Sequence, residues 1–180
     1  SSLLGACPGE ALFTTDSYVV DPIFFPGGDI GKLSVCGTVN DLAVAGAQPA
    51  YLSAGFIIEE GFAMKDLQTV IQSMARACHE ADVKIIAGDT KVVEKGSADG
   101  LFITTAGFGL IPTHRQIGGQ HAKPGDAVLV SGSLGDHGIA VLQARGELGF
   151  ESKITSDVAP LNHMIQELLD EIPEVHVLRD

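Results

Sequence analysis

The chain has 180 residues, 45% of them apolar, so it can bury a core and is not a largely disordered polypeptide. Eleven Lys and Arg against 23 Asp and Glu give a net charge of −12, which argues against a nucleic-acid backbone or an anionic membrane as partner and favours a divalent metal as the bridge to any phosphate. Cys7, Cys36 and Cys78 form no Cys-x-x-Cys pair, so neither a disulfide framework nor a zinc site is indicated; a reducing cytoplasm fits best, and neither a signal-peptide pattern nor an apolar run of about 18 residues is present.

Residues 11–20, ALFTTDSYVV, are β-branched and aromatic and predict a strand that ends at the Asp21-Pro22 step. The next stretch, FFPGGDIGKLS at 24–34, has the glycines and lysine of a phosphate loop but fails the Walker A pattern twice. Pro26 stands where its first glycine belongs, and Leu33 stands where Ser or Thr must follow the lysine. A Gly-Gly turn running into a helix still offers backbone N–H groups and a positive dipole end. Residues 30–46 are small and apolar and predict a largely buried helix, and AYLSAGFIIE predicts the next strand. Leu67, Val70, Ile71, Met74, Ala77, Cys78 and Ala81 recur three and four apart, which marks one face of an amphipathic helix.

VKIIAGDTKVV then predicts a strand interrupted at Gly88-Asp89, and GLFITTAGFGLI another. The connector PTHRQIGGQHAKPGD carries two glycine and proline clusters, and a domain boundary is expected in it. Beyond it, AVLVSG predicts a strand, SLGDHG leads into a helix IAVLQARGEL, and a last helix lies near LNHMIQELLDEI. The order predicts an α+β fold, with a mixed or antiparallel sheet packed on helices in residues 1–112. Residues 113–180 offer little surface to close a core and are expected to be the incomplete beginning of a second α/β domain.

Asp41 is the most informative single residue, because VCGTVNDLAVAGA surrounds it with small and apolar side chains, where an ionised carboxylate is costly unless paired or metal-bound. Asp16 and Asp89 each interrupt a strand whose runs should be buried. Three carboxylates on core elements suit Mg²⁺, a hard cation held by one or two carboxylates and substrate phosphates. Plainer readings stand beside this: Asp16 as a turn cap, Asp41 in a salt bridge with Lys32 or Arg76, Asp89 as the start of a loop. Lys91 follows Asp89 by two, so an extended strand puts both on one face, where the lysine could steer a phosphate or move a proton. Asp136 and His137 fall at a helix start, where an anion could bind or a cap suffice. The other histidines, His79, His114, His121, His163 and His176, have no partner at ligand spacing and are expected to be structural or on the surface.

In this order and with these gaps, FTTDSYVVDPIFFPGGDIGKL, CGTVNDLAVAGAQP, FIIEEG and AGDTKVV closely resemble the HypE family of hydrogenase-maturation proteins. That family belongs to the superfamily of aminoimidazole ribonucleotide synthetase, selenophosphate synthetase and thiamine-monophosphate kinase. The resemblance implies ATP-dependent dehydration of a carbamoyl group on a C-terminal cysteine to a thiocyanate, which supplies cyanide ligands for [NiFe]-hydrogenase. It implies Mg²⁺ on Asp16, Asp41 and Asp89 and Lys91 as the catalytic group. Asn40, Thr90, Lys32, Asp136 and His137 are implied to join the three carboxylates around the nucleotide, with Asp29 a weaker candidate and the Pro-Gly-Gly-Asp turn lining the site. The implied partners are a second copy of the chain, a carbamoyltransferase and an iron-scaffold protein. The family's opening glycine-rich segment, its terminal cysteine and much of its second domain have no counterpart here, so a catalytically incomplete chain is expected. Two other readings are a small-molecule phosphotransferase of the same superfamily and a non-catalytic dimerising scaffold.

Overall fold

Alternating apolar residues and a glycine-punctuated middle divide the first 112 residues into strands and two helices. The computed structural model describes residues 9–112, 115–147, 149 and 153–180. Cys7, His114 and Leu148 lie outside the described residues. In chain order the elements are β1 (Glu10–Tyr18), a two-residue hairpin β2 (Phe24–Phe25) and β3 (Gly28–Asp29), α1 (Ile30–Val44), β4 (Gln48–Glu59), α2 (Met64–Glu80), β5 (Lys84–Val93) and β6 (Leu101–Ile111). The main sheet has the order β1-β6-β4-β5. Strand β6 is antiparallel to both β1 and β4, while β5, reached through α2, runs parallel to β4. The sheet is therefore mixed, within the expected class.

Helices α1 and α2 cover one face. Ile30, Val35 and Val39 of α1 and Val70, Met74 and Ala77 of α2 pack on Leu52, Ala54, Ile58, Leu101 and Ile103 of the central strands. Beneath α1 runs a buried chain of hydroxyls whose direction follows from its last member. Thr105 Oγ1 donates to the Ser34 carbonyl at 3.0 Å, so it accepts from Thr38 Oγ1 at 2.5 Å, and Thr38 in turn accepts from the Tyr18 hydroxyl at 3.2 Å. Burial raises the Tyr18 pKa far above the ordinary phenol range, which keeps the donor that starts this chain protonated.

The opposite face carries no helix among the described residues. Register aligns Phe13, Phe108 and Tyr51 in one row across β1, β6 and β4, and Phe13 is 69% exposed. Strands β1 and β5 are the open edges. Strand β5 is continuous through Gly88 and Asp89, contrary to the expected interruption, because the parallel ladder carries Gly88 opposite Ala54 and Asp89 opposite Gly55.

The described residues after 112 contribute no strand to this sheet. AVLVSG forms no ladder, correcting the expected strand: no described strand lies beside it, and Val128 and Leu129 stand 89% and 88% exposed. Helix α3 (Asp136–Arg145) and helix α4 (Asn162–Glu171) form as expected. Helix α4 packs Ile165 and Leu169 on Ala43 of α1. Arg115, with its side chain 5% exposed, fixes that contact by donating to Asp170, Gln166 and the Gly46 carbonyl.

Between α3 and α4 an extended strap, residues 154–161, crosses the Pro-Gly-Gly turn and α1. Ser156 N donates to the Pro26 carbonyl at 2.7 Å. A Cβ on Gly27, whose φ is +92°, would meet Ser156 backbone at 2.7 Å, and one on Gly28 would meet Val158 at 2.9 Å. The two glycines are needed for the close approach of protein to protein.

Candidate functional site

The carboxylate chemistry gathers where β1 passes the C-terminal half of α1. Even-numbered residues of β1 face the helix: Thr14 Oγ1 donates to Asp41 Oδ2 at 3.1 Å, and Tyr18 reaches Thr38. Asp16 lies between them on the same face. Asp41 is half-buried, and burial is the main reason its carboxyl is held above the usual range; the negative charges of Asp180 and Asp16 add to this, while the Thr14 hydrogen bond and Arg179 oppose it. Asp16 itself is exposed and accepts from the Ser17 amide at 2.7 Å. Asp41 thus meets the expectation of a costly charge, and Asp16 does not. Neither Lys32 nor Arg76 forms an ion pair with Asp41.

Asp89 is elsewhere in the chain. The register carries Asp89 to Gly55, Thr104 and Ser17, so three strand spacings, roughly 14 Å, separate β5 from the Asp16 strand. Asp89 also lies in the row of the bare face, where Ser17 Oγ meets Thr104 Oγ1 at 3.0 Å. Among the described residues no three His, Cys, Asp or Glu side chains are placed to hold one metal ion. The expectation that all three carboxylates converge is corrected for the single chain: each sits within a continuous strand or helix, and the sheet order sends Asp89 to the far edge. Lys91 does share a face with Asp89, and the two pair at 2.7 Å while 69% and 71% exposed. The Lys91 ammonium, followed by the Thr90 amide, holds the Asp89 carboxyl below its usual range. The Thr90 side chain is exposed beside them.

The remaining candidates serve the joint between the two parts of the chain. Asn40 is 8% exposed and spends both ends of its amide on the strap, Nδ2 donating to the Ala159 carbonyl at 3.0 Å and Oδ1 accepting from the Leu161 amide at 2.8 Å. His137 Nδ1 meets Ser156 Oγ at 3.0 Å, and its ring stands edge-on to Phe25 at 5.1 Å. Asp136 accepts from Ser133 at the start of α3. Asp29 caps α1, its Oδ1 accepting from the Gly31 and Lys32 amides at 2.7 and 3.1 Å, and Lys32 faces α2 across a small cavity. None of these side chains contacts Asp16 or Asp41. The strap itself was not anticipated, because an extended segment outside a sheet has no periodicity to betray it.

The plainer reading of the histidines holds for His163, which meets the Glu80 carbonyl, and for His176, which pairs with Asp126. Cys36 and Cys78 are free and buried, and burial pushes their thiols up to about 12 and about 11, away from reactivity.

Comparison with known proteins gives the context of this site. Residues 6–111 match the N-terminal domain of AIR synthase related protein. The carbamoyl dehydratase HypE of Azotobacter vinelandii is 53% identical over 173 residues, covering 96% of this chain and 51% of that protein. The fold superposes on a crystal structure of the hydrogenase maturation protein HypE in complex with ATP with a TM-score of 0.95 at 50% identity, covering 100% of this chain and 53% of the other. It superposes on a chain of a HypE-HypF complex with a TM-score of 0.91 at 57% identity, covering 94% of this chain and 56% of the other. The chain spans about half the length of the curated relatives it matches.

Proposed function

The chain belongs to the AIR synthase related family through its N-terminal domain, and from that premise we propose that it supplies the nucleotide-binding and dimerising part of an ATP-dependent carbamoyl dehydratase of hydrogenase maturation. The observation that carries the reading is the Asp16–Asp41 pair at the junction of β1 and α1, with Asp41 held above the usual carboxylate range. A half-buried carboxylate beside a second one fits Mg²⁺, which takes oxygen ligands and leaves positions for phosphates. Magnesium bound there would neutralise phosphate charge. The similarity to a protein whose structure holds ATP supports the nucleotide assignment.

Asp89 and Lys91 enter this reading through a second copy. Strands β1 and β5 are both open edges, and the aromatic row of the bare face is uncovered. A two-fold assembly pairing each β1 with the β5 of the other copy would close both sheets, cover that row and bring Asp89 of the partner subunit to the strand edge that carries Asp16. In that arrangement the Lys91 ammonium of the partner subunit, oriented by its carboxylate neighbour, would stabilise the negative charge that develops on the phosphorylated carbamoyl group as its oxygen departs with phosphate and the amide protons pass to solvent.

The family match ends at residue 111, which supports reading residues 1–112 as this domain and residues 113–180 as the beginning of a second. A cysteine-bearing tail, a carbamoyltransferase that loads it and an iron-scaffold protein that accepts the product complete the proposed cycle. Cys36 and Cys78 are free thiols, and among the described residues no helix is long and apolar enough to cross a membrane.

Calorimetry with Mg-ATP tests the reading. Wild-type chain is expected to bind only with magnesium present, and Asp41→Asn and Asp89→Asn are each expected to lose that binding. Co-refolding the two variants should restore roughly a quarter of the sites, since only mixed dimers contain one intact set. Restoration absent from the mixture, with both variants dimeric, would reject the shared site.

A further inference from the structure

The two carboxylates at the junction of β1 and α1 each have one oxygen engaged by a donor of their own chain. Asp41 Oδ2 accepts from Thr14 Oγ1 at 3.1 Å, and Asp16 Oδ1 accepts from the Ser17 amide at 2.7 Å. The Ser17 bond is local, between neighbours in sequence, whereas the Thr14 bond crosses from strand to helix and depends on how closely the two approach. For Asp41 it is the side-chain hydrogen bond that the fold supplies, and it leaves Oδ1 as the oxygen open to a ligand.

That approach is built into the sheet. Register sets Thr14 opposite Gly107 of β6. A Cβ on Gly107 would meet Thr38 Cγ2 at 2.8 Å and Leu42 Cδ1 at 2.9 Å, so the glycine admits α1 at this distance from the strands. Asp41 lies one turn beyond Thr38 and just before Leu42, and the same approach brings its carboxylate to Thr14 on the next strand. An ionised carboxylate only accepts, so the hydroxyl donates, and the β-branched side chain that carries it has a restricted χ1. The bond is a fixed stop on rotation of the Asp41 carboxylate.

Such a stop discriminates between divalent cations. Mg²⁺ requires near-ideal octahedral geometry and is held by one or two carboxylates, with water and phosphate completing its shell, whereas Ca²⁺ gathers more oxygens and takes carboxylates in bidentate fashion. A carboxylate with one oxygen held by a hydroxyl serves as a single-oxygen ligand and resists chelation. We infer that Thr14 is a positioning residue that holds Asp41 as a monodentate ligand and thereby selects Mg²⁺ over Ca²⁺ at the nucleotide site. It acts through Asp41 and not on the nucleotide, and its role rests on the reading of Asp16 and Asp41 as metal ligands.

Titration calorimetry of the whole chain with Mg-ATP and with Ca-ATP tests it, the quantity read being the ratio of the two affinities. Wild type is expected to favour Mg-ATP. Thr14→Val keeps the shape of the side chain and removes the donor. It should weaken Mg-ATP binding about tenfold, the usual effect of losing the partner behind a metal ligand, and change Ca-ATP binding by less than about threefold, so the preference narrows. Thr14→Ala should narrow it alike, which keeps the test sound if valine disturbs the strand. Thr14→Ser restores the hydroxyl and should return the ratio to within about twofold of wild type. Thermal midpoints that stay level while the ratio falls separate positioning from a general loss of structure. Equal losses for the two complexes, or a ratio unchanged in both Thr14→Val and Thr14→Ala, would overturn the role of Thr14 and leave the metal reading standing. A wild-type chain that binds no Mg-ATP would reject the metal reading, and the role of Thr14 with it.

Discussion

The two ends of α1 differ in how fully the chain has used them. At the N-terminal end Asp29 caps the first amides, two glycines admit the strap, and His137 and Phe25 close over the turn. In the motif that resembles a phosphate loop, the Asp29 and Ser34 side chains and the Pro26 carbonyl already have protein partners there. At the C-terminal end Asp41 has one hydroxyl donor from β1 and a second carboxylate nearby, and Arg179 offsets its charge only in part. Glycine content thus marks the end where chain meets chain, and the unbalanced carboxylate marks the end with capacity for a ligand.

The largest effect is expected at the crowded end. Gly27→Ala puts a Cβ into the strap backbone at a positive φ, and a loss of about 2–4 kcal/mol is expected, read as a drop in thermal midpoint with faster amide exchange at 155–159. If Gly27→Ala melts like wild type, the strap contact is not part of the folded state in solution. Beneath the helix, Thr105→Val removes the donor to the Ser34 carbonyl and the acceptor for Thr38, for an expected cost of about 1–3 kcal/mol in denaturant unfolding. Asn40→Ala, next to the open end but bonded to the strap, should cost about 1–2 kcal/mol. It should also leave Mg-ATP affinity within about twofold, because the amide acts on the backbone of 159 and 161; a loss comparable to that of Asp41→Asn would place Asn40 at the ligand instead.

The smallest effect on stability belongs to the open end. The Asp41 pKa is raised in the folded chain, so folding favours its protonated form. That contribution is full below the ordinary carboxylate pKa and is lost as pH rises through the folded value. Asp41→Asn should therefore match wild type in acid and exceed it at neutral pH, by less than about 1 kcal/mol once solvent screening of a half-exposed group is allowed for. A variant less stable than wild type at neutral pH would make Asp41 a structural residue, and the contrast between the two ends would fail.

Much of this was legible in sequence, and the omissions share a cause. The face of α2 was plain because Val70, Met74 and Ala77 repeat at helical spacing, and the burial of α1 followed from its small apolar residues. Asp16 and Asp41 could be paired as unusual charges on core elements. What a linear reading could not supply was strand order: β6, last in sequence, inserts between β1 and β4, and that alone carries Asp89 to the opposite edge. AVLVSG has the composition of a strand without a neighbour to pair with. The hydroxyl chain joins residues 18, 34, 38 and 105, each ordinary in its own segment.

The clasp of Asn40 on the strap also bears on how the polypeptide acquires its structure during synthesis. Its two bonds join residues 119 and 121 positions apart. At ribosomal rates of about 5–20 residues per second, α1 would wait roughly 6–24 s after leaving the ribosome before the segment that covers it arrives. Over that interval the Pro-Gly-Gly turn and the Asn40 amide remain solvated, and the Ala43 surface that later receives α4 is bare. The sheet, whose own strands all lie within residues 10–111, can be complete well before then. Maturation of this chain should therefore proceed in two stages, and a chaperone that recognises the nascent form would find its hydrophobic target beside the C-terminal end of α1.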